Sequence, residues 1–156
     1  MATAQHSERR AGSLSDVLLD LVVTRVRLAA RRRAAWLAYL RIQGQADSFG
    51  FDDVLRASLD DRDSPEAEWE WFERAQEVRS VNEELHQAEH ALSGPAGGGL
   101  RRLAELFRLT PADLDLLQTC LAPVLDPSLG IAYGHLQNLP GHGYPTQTLA
   151  ARLFGY

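Results

Sequence analysis

The pentapeptide His86-Gln87-Ala88-Glu89-His90 carries the sharpest chemical signature in the sequence. It reads H-x-x-E-H, in which two histidines one helical turn apart can bind Zn²⁺ while the glutamate activates a water molecule. Such a centre needs a third protein ligand, and the acids that follow are few and stand at predicted caps or exposed helix positions. His86, Glu89 and His90 are therefore the metal candidate of this sequence, with solvated surface residues as the expected alternative.

Other catalytic chemistry has little support in the residue types. All 16 basic residues are arginines, so these residues supply no P-loop lysine and no Schiff-base lysine. The single cysteine, Cys120, can form no internal disulfide. Because it stands among Leu116, Leu117 and Leu121, it is predicted to be a small core residue rather than a nucleophile. The sequence therefore predicts no catalytic residue and no cofactor-binding residue.

Charge is divided unevenly along the chain. The first 41 residues hold eight arginines against three acids, residues 47–92 hold fourteen acids against four arginines, and the remainder is neutral. No uniformly basic face is indicated, so nucleic acid is not an expected partner. Trp36, Trp69 and Trp71 have helical spacing, and Trp69 and Trp71 stand among glutamates, which favours core packing over base stacking. The polar start of the chain, the short apolar runs and the lone cysteine predict a cytoplasmic protein with no membrane partner.

The elements that position these residues are helices. After a flexible start over residues 1–12, Ser13 is a predicted N-cap, and Leu14, Leu21, Leu28, Ala35 and Ile42 repeat every seven residues up to Gly44. A short helix is expected over Phe51–Leu59. Ser64 and Pro65 then open a second long helix, with a heptad pattern at Trp71, Val78, Leu85 and Leu92. Residues 13–92 therefore predict an antiparallel helical hairpin, in which Arg25–Arg33 could lie near the acids of Glu66–Glu77.

Residues 93–99 form a predicted Gly-rich linker, and residues 100–156 a small subdomain of short helices. One helix is expected over Leu100–Leu109. Thr110 with Pro111 and Asp126 with Pro127 are predicted N-cap and N1 pairs of the next two helices, and a last helix covers Thr146–Phe154. No stretch of the sequence alternates between apolar and polar residues as a half-buried β-strand would. The fold class is therefore all-α: a long helical hairpin followed by a small bundle, which could begin a winged-helix-like module.

The last third of the chain carries a recognisable pattern. It runs from Leu103 to Phe154, and its most distinctive residues are Leu121-Ala122-Pro123-x-Leu125-Asp126-Pro127, Leu136-Gln137 and Pro145-Thr146. These residues resemble the region ahead of the ATPase module in a group of bacterial AAA+ ATPases, some of which are encoded with contractile injection systems. Where the relatives have an acidic and then Arg-rich connection, this chain has Asn138–Tyr144 with glycines and His142.

The resemblance implies a non-catalytic N-terminal domain that regulates a AAA+ ATPase or recognises its protein partner or substrate. The parent protein would be a homo-oligomer that binds ATP and Mg²⁺ in another module, because no Walker motif is present here. Two alternatives stay open from the residues themselves. The chain could be a stand-alone helical adaptor, or a DNA-binding regulator of winged-helix type.

Overall fold

The structure is a computed structural model that describes residues 2–45 and 63–156. Those residues form seven α-helices and two short 3₁₀ turns, with no β-strand among them, so the all-α prediction is confirmed. The predicted helix Phe51–Leu59 lies outside the described residues. The helices are α1 (Ala2–Gln45), α2 (Pro65–Arg74), α3 (Arg79–Ser93), α4 (Gly98–Phe107), α5 (Pro111–Leu125), α6 (Pro127–Leu136) and α7 (Gln147–Phe154).

Helix α1 is longer than the sequence predicted. It is helical from Ala2, so Ser13 lies inside it and is not its N-cap, and residues 2–12 belong to the helix rather than to a separate segment. Its described residues run to Gln45, so Gly44 lies inside the helix and does not stop it. Its heptad seam is buried at Leu28 but not at Ile42, which is 68% exposed.

The predicted antiparallel hairpin is confirmed by the order of contacts along α1. Leu28 packs against Val81, Leu85 and Ala88 of α3. Further along α1, Trp36 packs against residues that come earlier in the sequence, Phe72 and Val78, in a cluster that also holds Trp69 and Trp71. Because the contacts move backward along one arm as they move forward along the other, the two arms run antiparallel. The three tryptophans pack as predicted.

The second arm is broken rather than continuous. Helix α2 ends at Arg74 and is followed by Ala75, which has an extended backbone (φ −72°, ψ 125°). A 3₁₀ turn over Gln76–Val78 then leads into α3. The side-chain amide of Asn82 donates to the carbonyl of Phe72 at 2.9 Å. A side chain thus satisfies a backbone carbonyl that an unbroken helix would have bonded itself, which stabilises the helix end.

The segment 93–99 is packed structure, not a linker. Pro95–Gly97 form a 3₁₀ turn against the end of α3, and Gly98 and Gly99 are the first residues of α4. Gly97 is buried, and a Cβ there would lie 1.6 Å from the carbonyl oxygen of Leu92. Only a residue without a side chain allows the chain to pass so close to its own backbone.

The predicted helix starts of the C-terminal bundle are confirmed. Thr110 and Asp113 form a capping box at the start of α5, Asp126 caps α6 through the N–H of Ser128, and Thr146 caps α7 through the N–H of Leu149. The three helices pack on the face of α1 beside its α3 face, in a core formed by Val26, Ala29, Ala30, Ala122, Leu129, Tyr133, Leu149 and Leu153. No helix among the described residues is long and apolar enough to cross a bilayer.

Candidate functional site

A largely buried cluster of four charged side chains joins the two halves of the molecule. Arg33 of α1 binds both oxygens of Asp63 at 2.7 Å and donates to Glu68 Oε2 at 2.7 Å. Arg152 of α7 donates to the same Glu68 oxygen at 2.8 Å and also contacts Asp63. The indole N–H of Trp36 donates to Asp63 at 2.8 Å. We call Arg33, Asp63, Glu68 and Arg152 the central ion cluster.

The environment of the central ion cluster indicates a structural role. Burial alone would raise the pKa of Asp63, but the hydrogen bonds from Arg33 and Trp36 hold that pKa below its usual range. Burial raises the pKa of Glu68, against the pull of its two arginines. Since Glu68 is 0% exposed, no substrate can reach it for proton transfer. The cluster fixes α7 and α2 on α1.

Arg32, beside the cluster, also connects α1 to α2 and α7. Its guanidinium donates to the carbonyl of Leu153 at 3.0 Å and lies 4.4 Å and 4.5 Å from the ring centres of Trp69 and Phe72. Burial lowers the pKa of Arg32 to about 10. Stacking on two rings and one hydrogen bond stabilise a buried cation that contacts no carboxylate among residues 2–45 and 63–156,.

A second ion cluster surrounds Arg25 on α1. Its guanidinium binds Glu89 of α3 at 3.2 Å and Asp115 of α5 at 2.5 Å, and it lies 4.0 Å from the ring centre of Phe154. Burial raises the pKa of Asp115, although Arg25 opposes that shift. Of the acids predicted to face Arg25–Arg33, only Glu68 does so. Among the described residues, the other partners of these arginines lie on α3, on α5, at the start of α6 and just before α2.

The H-x-x-E-H candidate gathers no third ligand from the described residues. Glu89 is held by Arg25, while His86 is exposed and its Nδ1 lies 3.8 Å from the other Glu89 oxygen. His90 is also exposed. Within residues 2–45 and 63–156, no group of three or more His, Cys, Asp or Glu side chains is arranged to hold a metal ion. The glutamate of the motif instead ties α3 to α1.

The motif Leu121–Pro127 builds the corner between α5 and α6. Pro123 lies inside α5 and has no N–H to donate to the carbonyl of Thr119 four residues earlier,. That carbonyl instead accepts the hydroxyl of Tyr133 at 2.9 Å, and Tyr133 is fully buried. Asp126 caps α6 and binds Arg27 of α1 at 2.6 Å. In the same motif Ala122 is buried, Leu121 is half-buried, and Leu125 and Pro127 are exposed.

The second part of the motif, Leu136-Gln137 and Pro145-Thr146, closes the connection between α6 and α7. The amide of Gln137 donates to the carbonyls of Tyr133 and Tyr144 at 3.1 Å and 3.0 Å. Its oxygen accepts from the N–H and the hydroxyl of Thr146 at 3.0 Å and 2.6 Å. Leu136 and Pro145 are half-buried beside these bonds. One glutamine thus holds the loop and the start of α7 together.

One surface that none of these contacts explains is the outer face of α5. Leu117, Cys120 and Val124 recur there at i, i+3 and i+7, all exposed, and Val124 is 76% exposed. The prediction that Cys120 is a core residue is therefore wrong. Helix α5 is apolar on nearly all sides, so its periodicity could not show which side faces the core. We call Leu117, Cys120 and Val124 the α5 stripe.

A helix that is apolar on nearly all sides is normally covered on those sides, and the described helices leave the α5 stripe uncovered. Sequence reasoning missed the α5 stripe because it assigned Cys120 to the core on the ground of the neighbouring leucines. The only available signal was the excess of apolar residues in α5 over the number that one buried face needs.

Comparison with known proteins gives one finding. No curated protein and no solved structure matches the chain. A family model described as "Winged helix domain, variant" matches residues 15–155. That range includes both ion clusters, the α5–α6 corner and α7. Because the match covers well over half of the chain, this chain belongs to the winged helix domain variant family.

Proposed function

We propose that this chain is a non-catalytic recognition domain of a AAA+ ATPase, and that a protein partner binds it on the α5 stripe. The observation that carries the proposal is the exposure of Leu117, Cys120 and Val124 on a helix that is apolar on nearly all sides. Covering the stripe would remove apolar area from water, which is the usual source of affinity in protein association.

The ATPase assignment rests on the resemblance of the α5–α6 corner and of the Gln137 connection to the region ahead of an ATPase module. ATP and Mg²⁺ would bind in that module and not in these residues. The charged residues discussed above support a recognition role, because their side chains hold helices together instead of facing a reaction site. A AAA+ parent also implies a homo-oligomer.

Cys120 gives a direct test of the stripe. It is the chain's one cysteine, and a thiol-reactive photocrosslinker placed there samples whatever covers α5. We expect crosslinks to one defined protein, or to the ATPase module of the parent. The matched control is Cys120→Ser combined with Glu83→Cys, which places the same reagent on an exposed position of α3. Identical products from both proteins would contradict the proposal.

The ATPase assignment has a separate test. The reading frame that contains these residues should encode Walker motifs beyond Tyr156, and the complete protein should hydrolyse ATP. In the complete protein, Val124→Asp should abolish the response of hydrolysis to the partner while its basal rate is unchanged. A frame that stops at Tyr156 would favour the stand-alone adaptor, and substrate turnover by the 156-residue chain would contradict a non-catalytic role.

DNA binding is the second candidate, and the winged-helix family match is the observation that favours it. The helix pair α6 and α7 would have to read the duplex, with α7 in the major groove. Such binding would weaken steeply as salt is raised. A gel shift at low salt with the isolated chain tests it, and no shift at micromolar protein would exclude this candidate.

A further inference from the structure

Helix α4 extends from the molecule with apolar side chains in water. None of its residues is buried, and it packs chiefly on the 3₁₀ turn Pro95–Gly97. Leu106 and Phe107 at its end are 69% and 67% exposed. Arg102 and Arg108, both exposed, flank them. We call Leu106 and Phe107, with these two arginines, the α4 tip.

The backbone of the α4 tip is also unusual. Arg108 closes the helix in the left-handed conformation (φ 54°, ψ 41°), where glycine is the common residue,. An arginine in that conformation costs about 1 kcal/mol. An arginine held in an unfavourable backbone conformation, directly after two exposed apolar residues, favours a binding role for the tip.

A complementary feature lies elsewhere on the same chain, between the start of α2 and the end of α7. It is an open groove of about 800 Å³ with a mainly apolar lining: Pro65, Trp69, Ala151, Gly155 and Tyr156, together with the polar side chains of Gln147 and Thr148. Its charged lining residues are Glu66, which is exposed, and Arg152, which is already paired with Glu68 at 2.8 Å. Gly155 approaches the Trp69 indole so closely that a Cβ would lie 2.4 Å from the ring. We call this the Trp69 groove.

Within one molecule, the α4 tip and the Trp69 groove do not contact each other. The start of α4 contacts Leu18 of α1, since a Cβ at Gly99 would lie 3.0 Å from the Leu18 side chain. The floor of the groove, Trp69, stacks on Arg32 of α1. Leu18 and Arg32 are about 21 Å apart along a helix that rises 1.5 Å per residue. In the structure Leu106 and Phe107 are in solvent and not in the groove.

We infer that the α4 tip of one copy of this chain binds in the Trp69 groove of a second copy. The apolar side chains of the tip match the apolar lining, and Arg102 and Arg108 match Glu66 at the rim. Because the two surfaces are different, the contact is heterologous and leaves one free tip and one free groove at the ends of every dimer. It goes beyond the proposed function, because it uses neither the α5 stripe nor an ATPase module.

The contact area is small, so the association of isolated chains is weak and is best detected by trapping. Two proteins are prepared in a Cys120→Ser background, one with Leu106→Cys and one with Thr148→Cys, which places a thiol at the groove. Mixed and oxidised at high concentration, they should form a heterodisulfide in at least about tenfold excess over a control pair of Leu106→Cys with Glu83→Cys. Equal yields from the two pairs would overturn the inference.

Two further variants separate a specific contact from random collision. Phe107→Asp in the tip protein should lower the heterodisulfide yield about tenfold, whereas Leu139→Asp, at another exposed apolar residue, should leave it unchanged. If Phe107→Asp has no effect, the tip does not bind a second copy. Arg102→Glu in one protein should also lower the yield, and Glu66→Arg in the other should restore it. Failure of this charge exchange to restore the yield would contradict the assigned pairing.

Discussion

Replacing Glu68 with glutamine tests whether the central ion cluster has the structural role described above. Arg33 and Arg152 are balanced by Asp63 and Glu68, and Glu68 has no exposure to solvent. Glu68→Gln keeps the shape of the side chain but leaves one positive charge without compensation in a largely buried site. Removing one partner of a buried ion pair costs about 3–5 kcal/mol. We expect a loss of about 3 kcal/mol, at the low end, because Asp63 still binds both arginines.

The loss should be visible in both chemical and thermal unfolding. For a chain of this length, each kcal/mol lowers Tm by about 2–4 °C, so Glu68→Gln should lower Tm by about 6–12 °C. Urea unfolding at pH 7, followed by circular dichroism, measures the free energy directly. Glu70→Gln is the matched control, since Glu70 is exposed and lies 3.7 Å from Arg74 on the same helix. Its cost should stay below about 0.5 kcal/mol.

A compensating change makes the test specific to charge. Arg152→Met in the Glu68→Gln background leaves one arginine facing one aspartate, so the cluster is neutral again. The double variant should be more stable than the sum of the two single losses predicts, by about 1.5 kcal/mol or more. The reasoning is refuted if Glu68→Gln costs no more than Glu70→Gln, or if the losses of the two single variants simply add.

Three further predictions concern the backbone and the pH dependence. Gly97→Ala should destabilise the fold by about 2 kcal/mol or more, because its Cβ would meet the preceding turn,, while Gly98→Ala, in open space, should be neutral or stabilising by about 0.5 kcal/mol; urea unfolding of both variants decides. Tyr133→Phe should cost about 1–2 kcal/mol by leaving a buried carbonyl without a donor, and Pro123→Ala should recover part of that loss in the same assay, since alanine supplies the missing N–H. The pKa of Asp63 is lowered in the folded protein, so its contribution to stability is present above about pH 4 and is lost as the pH falls through the folded pKa; urea midpoints from pH 5 to pH 2 should fall less steeply in Asp63→Asn than in the wild type.

Local signals in the sequence were sufficient for most helix starts in the second half of the chain. Thr110, Asp126 and Thr146 were predicted as caps or helix starts and act as caps, because a side-chain oxygen satisfies an N–H two or three residues away in any context,. Ser64 behaves in the same way at the start of α2. The hairpin was predictable because both of its arms carry a heptad pattern.

Features that depend on distant residues were not predictable. The break at Ala75 needs the side chain of Asn82, and Trp71 and Val78 keep heptad spacing across it, so the pattern alone indicates one helix. The exposed position of Cys120 was missed because α5 is apolar on nearly every side. The central ion cluster combines residues 33, 63, 68 and 152, and only its Arg33–Glu68 contact lay within the charge pairing that the hairpin predicted.

The ion pairs of Arg152 bear on whether α7 of this winged-helix family member can contact DNA. Arg152 is the only cation of that helix, and Glu68 accepts from it at 2.8 Å. A DNA phosphate would have to draw Arg152 away from two carboxylates, and Glu68 would then be buried with one arginine instead of two. The other exposed side chains of α7, Gln147 and Thr148, are neutral. With no free cation to contact phosphates, α7 lacks the electrostatic term that supplies most non-specific DNA affinity. Duplex binding through α7 is therefore not expected, and α7 should contribute to function through the groove that it forms with α2.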